Sequence, residues 1–140
     1  MKLTRTVAYA LQATLQIANL HPGNPVPCSR LAAEGQMPER FLLQVLRCLV
    51  NHGILRSTRG VDGGYSLQKP PEDVTLLEII EAVEGRAQME NFPEAEQPSD
   101  AQLPLQRALA QITAITRDQL NAINLQQLIS PPIQDATHGG

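Results

Sequence analysis

The stretch STRGVDGGYSL, residues 57–67, places three glycines and one arginine between two runs of β-prone residues. Gly60, Gly63 and Gly64 give the backbone the freedom that a tight hairpin needs. One interpretation is that the glycines do no more than turn the chain. The other is that Arg59 extends from the tip toward a negatively charged partner. We favour the second, because a hairpin that only turned would need neither Arg59 nor three glycines.

The segments before this hairpin predict a first amphipathic helix and then two helices joined by a tight connection. Thr4 is a candidate N-cap for the first helix, Gly35 ends the second, and Pro38 suits the first position of the third. The first predicted helix follows Thr4 and is ended by residues 21–25, the next two cover residues 28–34 and 38–52, and the predicted strands cover residues 54–58 and 64–67. Two short helices followed by a two-stranded ribbon form a winged helix-turn-helix. The predicted fold class is therefore mainly α with a small β-hairpin.

The second half of the chain predicts one helix that completes this domain and one long helix beyond it. Thr75 and Glu78 have the spacing of a capping box at the start of the fourth helix, and Glu78, Glu81 and Glu84 are expected to form a solvated face. We divide the chain into a winged helix-turn-helix DNA-binding domain (1–85), an acidic, proline-rich loop (86–100), a long apolar dimerisation helix (101–130) and a flexible tail (131–140).

Charge and composition narrow the class of protein. Residues 1–70 carry eight Lys and Arg against three acids, a net +5, and residues 71–140 carry three Arg against eleven acids, a net −8, which together give the chain's −3. A basic module beside an acidic one is compatible with nucleic-acid binding. No apolar run reaches the about 18 residues of a membrane span, and polar residues interrupt the N-terminal apolar stretch. We therefore expect a cytoplasmic protein with no membrane partner.

No pattern in the sequence points to an enzyme or to a metal site. The sequence contains no Ser/His/Asp set, no phosphate-binding glycine loop and no HExxH motif. Cys28 and Cys48 are too few and too far apart for a zinc or cluster site, and we interpret both as structural thiols.

The third helix would be the recognition helix, because the second helix of a helix-turn-helix enters the major groove. Arg40 and Gln44 can pair with guanine and adenine there, and Arg59 in the wing could enter a minor groove. Other basic residues would hold phosphates. The expected DNA-contacting residues outside the wing tip are Lys2, Arg5, Pro38, Arg40, Leu43, Gln44, Arg47, Arg56 and Lys69. For the helix, a merely solvated polar face stays open as the alternative.

Three segments carry a specific resemblance to a known family. MKLTRTVAYAL at the N-terminus, FLLQVLRCLVNHGIL in the third helix and STRGVDGGYSL…PPEDVTLLEIIEAVEG after it resemble the Rrf-type winged-helix regulators, the family of IscR, NsrR and CymR. The resemblance covers residues 1–85 closely, and the long helix matches in layout only. It implies a homodimeric transcriptional regulator, a repressor or otherwise, that binds a pseudo-palindromic operator on double-stranded DNA. It also implies that the long helix forms the dimer and that Arg59 and Gly60 lie at the minor groove.

The sequence departs from that family at two places. Cluster-binding members carry three cysteines after the fourth helix, whereas residues 86–107 here contain no Cys. Because thiolates hold such clusters, we expect no iron–sulfur cluster and no other cofactor. Several members have a base-reading Glu where this chain has Leu43, whose side chain could pack on a thymine methyl group. The operator is therefore expected to differ from theirs.

The long apolar stripe is expected to bury itself against a second copy, because it is too apolar to stay in water. The residues predicted to form this contact are Leu105, Leu109, Ile112, Ile115, Leu120 and Ile123. Loop 86–100 occupies the family's sensing position, and the effector is left open as a small molecule, a metal or a protein. The alternative is that the loop is a degenerate remnant that leaves DNA binding constitutive. Two other functions stay open: a protein-interaction module on a winged-helix scaffold, and a redox sensor that uses Cys28 and Cys48 directly.

Overall fold

The helices and strands follow the predicted order along the chain. A computed structural model describes residues 4–85 and 102–129. Its elements are α1 (Arg5–Leu20), α2 (Cys28–Gly35), α3 (Glu39–Asn51), β1 (Leu55–Thr58), β2 (Gly64–Leu67), a 3-10 turn (Pro71–Asp73), α4 (Leu76–Glu84), α5 (Gln102–Asn121) and α6 (Leu125–Leu128). The two strands pair in antiparallel register. This mainly helical fold with one small hairpin confirms the predicted fold class.

One apolar core lies among the helices of residues 4–85 and is closed by the hairpin on one side and α6 on another. The side chains of α3 that are spaced by three and four residues are fully buried, as the amphipathic pattern predicts. They are Leu42, Val45, Leu46 and Leu49, and the core continues through Ile17 of α1, Ile79 of α4 and Leu125 of α6. Within the described residues, no helix has both the length and the apolar character that a membrane span requires.

The connection between α2 and α3 differs from the prediction in two details. The left-handed residue after α2 is Gln36, with φ 55°, and Gly35 is still helical. Gly35 faces α1, where Gln12 Nε2 donates to the Gly35 carbonyl oxygen at 2.9 Å. This contact ties the last residue of α2 to α1. Pro38 is the N-cap of α3 and not its first residue, because its ψ of 121° keeps it extended.

The predicted single helix over residues 101–130 is divided in the structure. α5 ends at Asn121, and Asn124 starts α6 with a reciprocal capping box. The Asn124 side chain accepts from the Gln127 N–H at 3.0 Å, and the Gln127 side chain accepts from the Asn124 N–H at 2.7 Å. These bonds stabilise a new helix start directly after Ile123, the last predicted residue of the apolar stripe. The expectation of one continuous helix is therefore wrong.

The turn between α5 and α6 attaches the C-terminal part of the chain to the winged-helix core. The Leu76 N–H donates to the Ile123 carbonyl at 3.0 Å, and the Leu125 N–H donates to the Val74 carbonyl at 2.9 Å. Leu125 is buried between these backbone contacts. Lys2, loop 86–100 and the tail 131–140 lie outside the described residues.

Candidate nucleic-acid interface

Helix α3 presents one face to the core and the other to solvent. Arg40, Gln44 and Arg47 are exposed, and Leu43 between them is half-buried. Pro38 is exposed at the N-cap, so the N-terminal end of the helix is open to a partner. This face has the shape and chemistry that a recognition helix needs, namely guanidinium and amide groups on one exposed side of a buried-backed helix.

Tyr9 of α1 and Phe41 of α3 fix the position of α3 against the first helix. Their rings meet edge to face, with centroids 5.5 Å apart and planes at 71°. Arg5 lies one turn before Tyr9 on α1 and is exposed. The ring contact therefore brings the N-terminal part of α1, with its positive charge, toward the N-terminal half of α3.

The wing is a short hairpin whose outer end is exposed except at Gly63, which is buried. The register pairs Leu55 with Leu67 and Thr58 with Gly64, which leaves residues 59–63 as the tip. Every residue from Arg56 to Asp62 is exposed. The structure thus places Arg59 at the tip with no covering side chains, as the sequence predicts.

The glycines of the wing are explained by backbone geometry. Gly60 has φ 111° and Gly64 has φ 146°, conformations that side chains disfavour. A Cβ on Gly64 would lie 2.3 Å from the carbonyl carbon of Val26, and one on Gly63 would lie 2.1 Å from the Thr58 oxygen. The expectation that a simple turn would not need three glycines is therefore wrong. The case for an anionic partner rests on Arg59 and the charges around it.

Two other predicted phosphate contacts have partners within the domain. Arg56 is exposed and its Nε donates to Gln68 Oε1 at 3.0 Å, which leaves the rest of the guanidinium open. Lys69, in contrast, forms an ion pair with Glu78. The charge of Lys69 is paired at the partly exposed surface of the domain, and its phosphate role stays a prediction.

The acidic row of α4 is not the solvated face that the sequence predicts. Glu78, Glu81 and Glu84 are all half-buried, and each bonds to a different part of the molecule. Glu78 pairs with Lys69, Glu81 with Arg117 of α5, and Glu84 accepts from the Thr4 hydroxyl at 2.7 Å. These partners lie 9, 36 and 80 residues away along the chain, which is why a local pattern does not find them.

Glu34, one of the acids of the basic half, is held by a histidine and an arginine. His21 Nε2 lies 2.9 Å from one of its carboxylate oxygens, and Arg30 Nε donates to the other at 3.2 Å. The pKa of Glu34 is lowered chiefly by the hydrogen bond with His21, with burial opposing it and Arg30 assisting. The cluster ties the end of α1 to α2.

The two cysteines lie apart from any metal-binding set. Cys28 Sγ donates to the Glu39 carbonyl at 3.7 Å, and burial, assisted by the nearby Glu39 charge, raises the pKa of the Cys28 thiol. Cys48 is half-buried on α3. In the part of the chain that the structure describes, no three His, Cys, Asp or Glu side chains are grouped so that they could hold a metal.

The exposed and half-buried residues of α5 form two separate stripes. Leu105, Ile112 and Ile115 are 58%, 56% and 53% exposed and share one face. Leu109 and Leu120 are half-buried on a neighbouring face, roughly 85° away from the mean direction of the exposed residues at 100° per residue. Ile123, the sixth predicted dimer residue, lies beyond the end of the helix in the turn to α6.

Residues 4–85 therefore define a winged helix-turn-helix with a basic, exposed reading surface, and α5 extends from it with an apolar stripe. The sequence pattern of the family described as Rrf2, iron-dependent transcriptional regulator, matches residues 3–131. The chain belongs to this family, whose members are transcriptional regulators and not enzymes.

Relatives support this family assignment, one by a match over nearly the whole chain and another by a match over its first part. CymR, an HTH-type transcriptional regulator of Bacillus subtilis, is 28% identical over 130 residues, which is 93% of this chain and 91% of that protein. An HTH-type transcriptional regulator of Mycobacterium tuberculosis is 31% identical over 85 residues, 61% of this chain. That match spans 53% of the mycobacterial protein, or about half of its length.

Solved structures share the fold over nearly the whole chain. CymR of B. subtilis, described as its global cysteine regulator, superposes with a TM-score of 0.76 at 26% identity, covering 91% of this chain and 95% of that one. The oxidized form of Staphylococcus aureus CymR gives 0.75 at 26% identity, with coverage of 94% and 98%. IscR of T. potens gives 0.74 at 24% identity, covering 97% and 88%, and shows the fold alone.

The family description names iron, and the residues of this chain do not fit an iron–sulfur cluster held by thiolates. Such clusters take about four ligands, usually all cysteine. The chain has two cysteines, and neither lies in residues 86–107. Cys28 is also disfavoured as a thiolate, because its pKa is raised.

Proposed function

We propose that this protein is a dimeric, sequence-specific DNA-binding transcriptional regulator, a repressor or otherwise, that works without an iron–sulfur cluster. The observation that carries the proposal is the open wing: Arg59 projects from a hairpin whose residues 56–62 are all exposed. The exposed Arg40, Gln44 and Arg47 of α3 supply the second half of a DNA-reading surface.

In this proposal each protomer reads one half of a pseudo-palindromic operator. The α3 helices enter successive major grooves about one helical turn apart, and Arg40 and Gln44 contact base edges. Leu43 packs on a thymine methyl group, and Arg47 lies closer to phosphate. Arg59 and Gly60 of the wing occupy a flanking minor groove, where an arginine is held by the strong negative potential. Phosphates are held by Lys2, Arg5 and Arg56.

The second protomer is the occupant that we assign to the apolar stripe of α5. Leu105, Ile112 and Ile115 repeat at intervals of seven and three along one face, which is the spacing of a helix-to-helix seam. An isologous contact between two copies would bury the stripe of both at once. It would also place two basic domains on one DNA site, which offsets the modest charge of each.

The effector of this regulator is open to a small molecule, a metal or a protein. The proposal carries with it the cytoplasmic location that the sequence predicts, because the DNA to be bound is there. No cofactor is needed for the DNA contact as proposed, since every group that it uses is a side chain of residues 1–60.

Two other functions are separated from this one by single experiments. A protein-interaction module on the same scaffold would keep its partner's affinity when Arg59 is replaced by Ala, whereas a DNA reader would bind DNA more weakly. A redox sensor would need a reactive thiol, and the raised pKa of Cys28 disfavours one. The S. aureus relative in its oxidized form keeps the thiol hypothesis worth testing by alkylation at native pH.

The proposal is tested by selecting bound duplexes from a random DNA pool with metal-free protein. We expect a two-fold-symmetric site with half-sites about one helical turn apart. A pool that stays random after several rounds would contradict a cluster-independent DNA reader.

A further inference from the structure

Two polar contacts in the described residues join the long helix α5 and the turn that follows it to the winged-helix domain. One is the backbone contact after its C-terminal end, where the Ile123 carbonyl accepts from the Leu76 N–H. The other is Arg117, whose Nη1 donates to Glu81 Oε2 of α4 at 2.5 Å. Together with the half-buried side of α5, the two contacts define the direction in which the helix leaves the domain.

The ion pair between Arg117 and Glu81 is well placed to fix the direction of α5. The side chains of Arg117 and Glu81 are 20% and 27% exposed, so solvent screens them less than it screens a fully exposed pair. Among the described residues, this is the ion pair that joins α5 to α4; the others lie within residues 4–85. Leu109 and Leu120 on the same side of α5 are half-buried, and neither belongs to the apolar core.

The geometry of α5 amplifies any change at Arg117. Arg117 lies about 6 Å along the axis from Asn121, the last residue of α5, whereas Leu105 at the far end of the exposed stripe lies about 24 Å away, at 1.5 Å per residue. A displacement of the helix at Arg117 is therefore about four times larger at Leu105. In a dimer formed through this stripe, the same rotation separates or approaches the two recognition helices.

We propose that the Arg117–Glu81 ion pair sets the direction of the dimerisation helix and so determines which half-site spacing the regulator accepts. Both are positioning residues, since neither contacts DNA nor belongs to the exposed stripe. This inference rests on the proposed dimeric DNA reader. It adds a determinant of specificity that lies far from the base-reading side chains.

The test uses the full chain and a panel of duplexes. The half-sites of the selected operator are moved together or apart by one and two base pairs, each step being a shift of about 3.4 Å and a rotation of about 35°. Affinity for every duplex is measured for the wild type, Glu81→Arg, Arg117→Glu and the double charge exchange. Arg107→Glu is the matched control, because it makes the same charge change on an exposed position of the same helix. Sedimentation and thermal unfolding are recorded for each.

We expect the affinity of the wild type for its selected spacing to exceed that for the neighbouring spacings by about tenfold or more. A single mismatched base pair in an operator changes affinity by a similar factor. The single charge reversals should remain dimeric and lose most of that preference, and the double exchange should regain it. Arg107→Glu should bind as the wild type does. Arg117→Met, which removes the charge and keeps the length, should lose preference without the repulsion that could unfold a reversal.

Three results would overturn the inference. The first is an unchanged spacing preference in both single reversals, and the second is a double exchange that fails to restore it. The third is a monomeric Arg117→Glu protein, because Arg117 would then belong to the dimer contact itself. A wild type that selects no two-fold site would instead overturn the proposed function, and this inference with it.

Discussion

The winged helix and the long helix treat their apolar residues in opposite ways. In residues 4–85 the large aliphatic side chains of α3 and α4 are buried or half-buried, the exposed row of α3 is polar or charged, and the large aliphatic side chains that are exposed are Leu20 and Val61. In α5 the large side chains Leu105, Ile112 and Ile115 are each more than half exposed. The first region has completed its core within one chain, and the second has not.

This difference separates reading from assembly. Because the winged helix already has a buried core, its surface is free for recognition. The exposed Arg40, Gln44 and Arg59 on that surface are suited to DNA. A helix that leaves aliphatic side chains in water gains by covering them with another copy. Substitutions in the exposed stripe of α5 should therefore change assembly without changing the fold of the winged helix. Substitutions in the core should change the fold of the winged helix and leave the assembly contact of α5 in place.

The largest effect is expected from Ile112→Glu, which places a charge in the middle of the exposed stripe. The protein should become monomeric, and its affinity for the two-fold operator should fall by about 100- to 10,000-fold, because the second half-site is no longer bound by the same particle. The thermal unfolding of the winged helix should hardly change. Sedimentation and DNA titration measure both quantities.

Ala114→Glu is the control for that change, since Ala114 is exposed on a third face of α5. It should leave the dimer and the affinity as they are. A dimeric Ile112→Glu protein would show that the stripe is not the contact between copies.

The next largest effect is expected in the winged helix, from Gly64→Ala. Its φ of 146° is unfavourable for alanine, and the new Cβ would collide with the Val26 backbone. We expect a loss of about 2 to 3 kcal/mol in the free energy of unfolding. Gly53→Ala is the matched comparison, because Gly53 also has positive φ (77°) but no neighbour within 4 Å of a Cβ, and it should lose about 1 kcal/mol. Equal losses in a urea titration would disprove the crowding at the wing.

A smaller effect is expected from Arg59→Ala, which removes the charge at the wing tip and touches no buried group. The affinity for the selected duplex should fall about tenfold, with the fold and the dimer unchanged. Arg107→Ala, an exposed arginine of α5, should bind as the wild type does. An Arg59→Ala protein with full DNA affinity would move the search from DNA to a protein partner of the wing.

The smallest effect concerns Cys28 at the start of α2. Because its pKa is raised, less of the reactive thiolate is present at neutral pH, and iodoacetamide should modify it several-fold more slowly in the folded protein than in urea. A Cys48→Ser variant isolates the Cys28 reaction for mass spectrometry. Fast modification of the folded protein would make the winged helix a thiol sensor as well as a reader.

Local signals in the sequence identify the starts of α1 and α4 and the hairpin correctly. Thr4 accepts from the Val7 N–H at 3.2 Å, and Thr75 and Glu78 form the predicted capping box. Caps and hairpins depend on residues a few positions apart, so short patterns are enough to find them. Asn124 and Gln127 carry the same kind of signal. Because Leu128 follows them at helical spacing, the sequence pattern predicts one continuous helix.

Contacts between distant segments could not be predicted in this way. Glu81 and Glu84 follow the spacing of an exposed helix face, and nothing near them in the chain indicates Arg117 or Thr4 as partners. The glycines of the wing misled in the opposite direction. Gly63 is required by the backbone of its own hairpin at Thr58, and Gly64 by the backbone of Val26, whereas the sequence alone made them look like a feature of DNA binding.

In the proposed dimer, two basic winged helices are joined through α5 and bind DNA through their own residues, without a cofactor. The most direct test is the affinity of metal-free protein for its selected duplex as a function of salt. With several arginines and Lys2 from each protomer on phosphates, log affinity should fall steeply and linearly with log salt, with a slope of about −6 or steeper. A shallow slope with weak affinity at low salt would contradict the account, because a surface that reads DNA through these charges must release counterions when it binds.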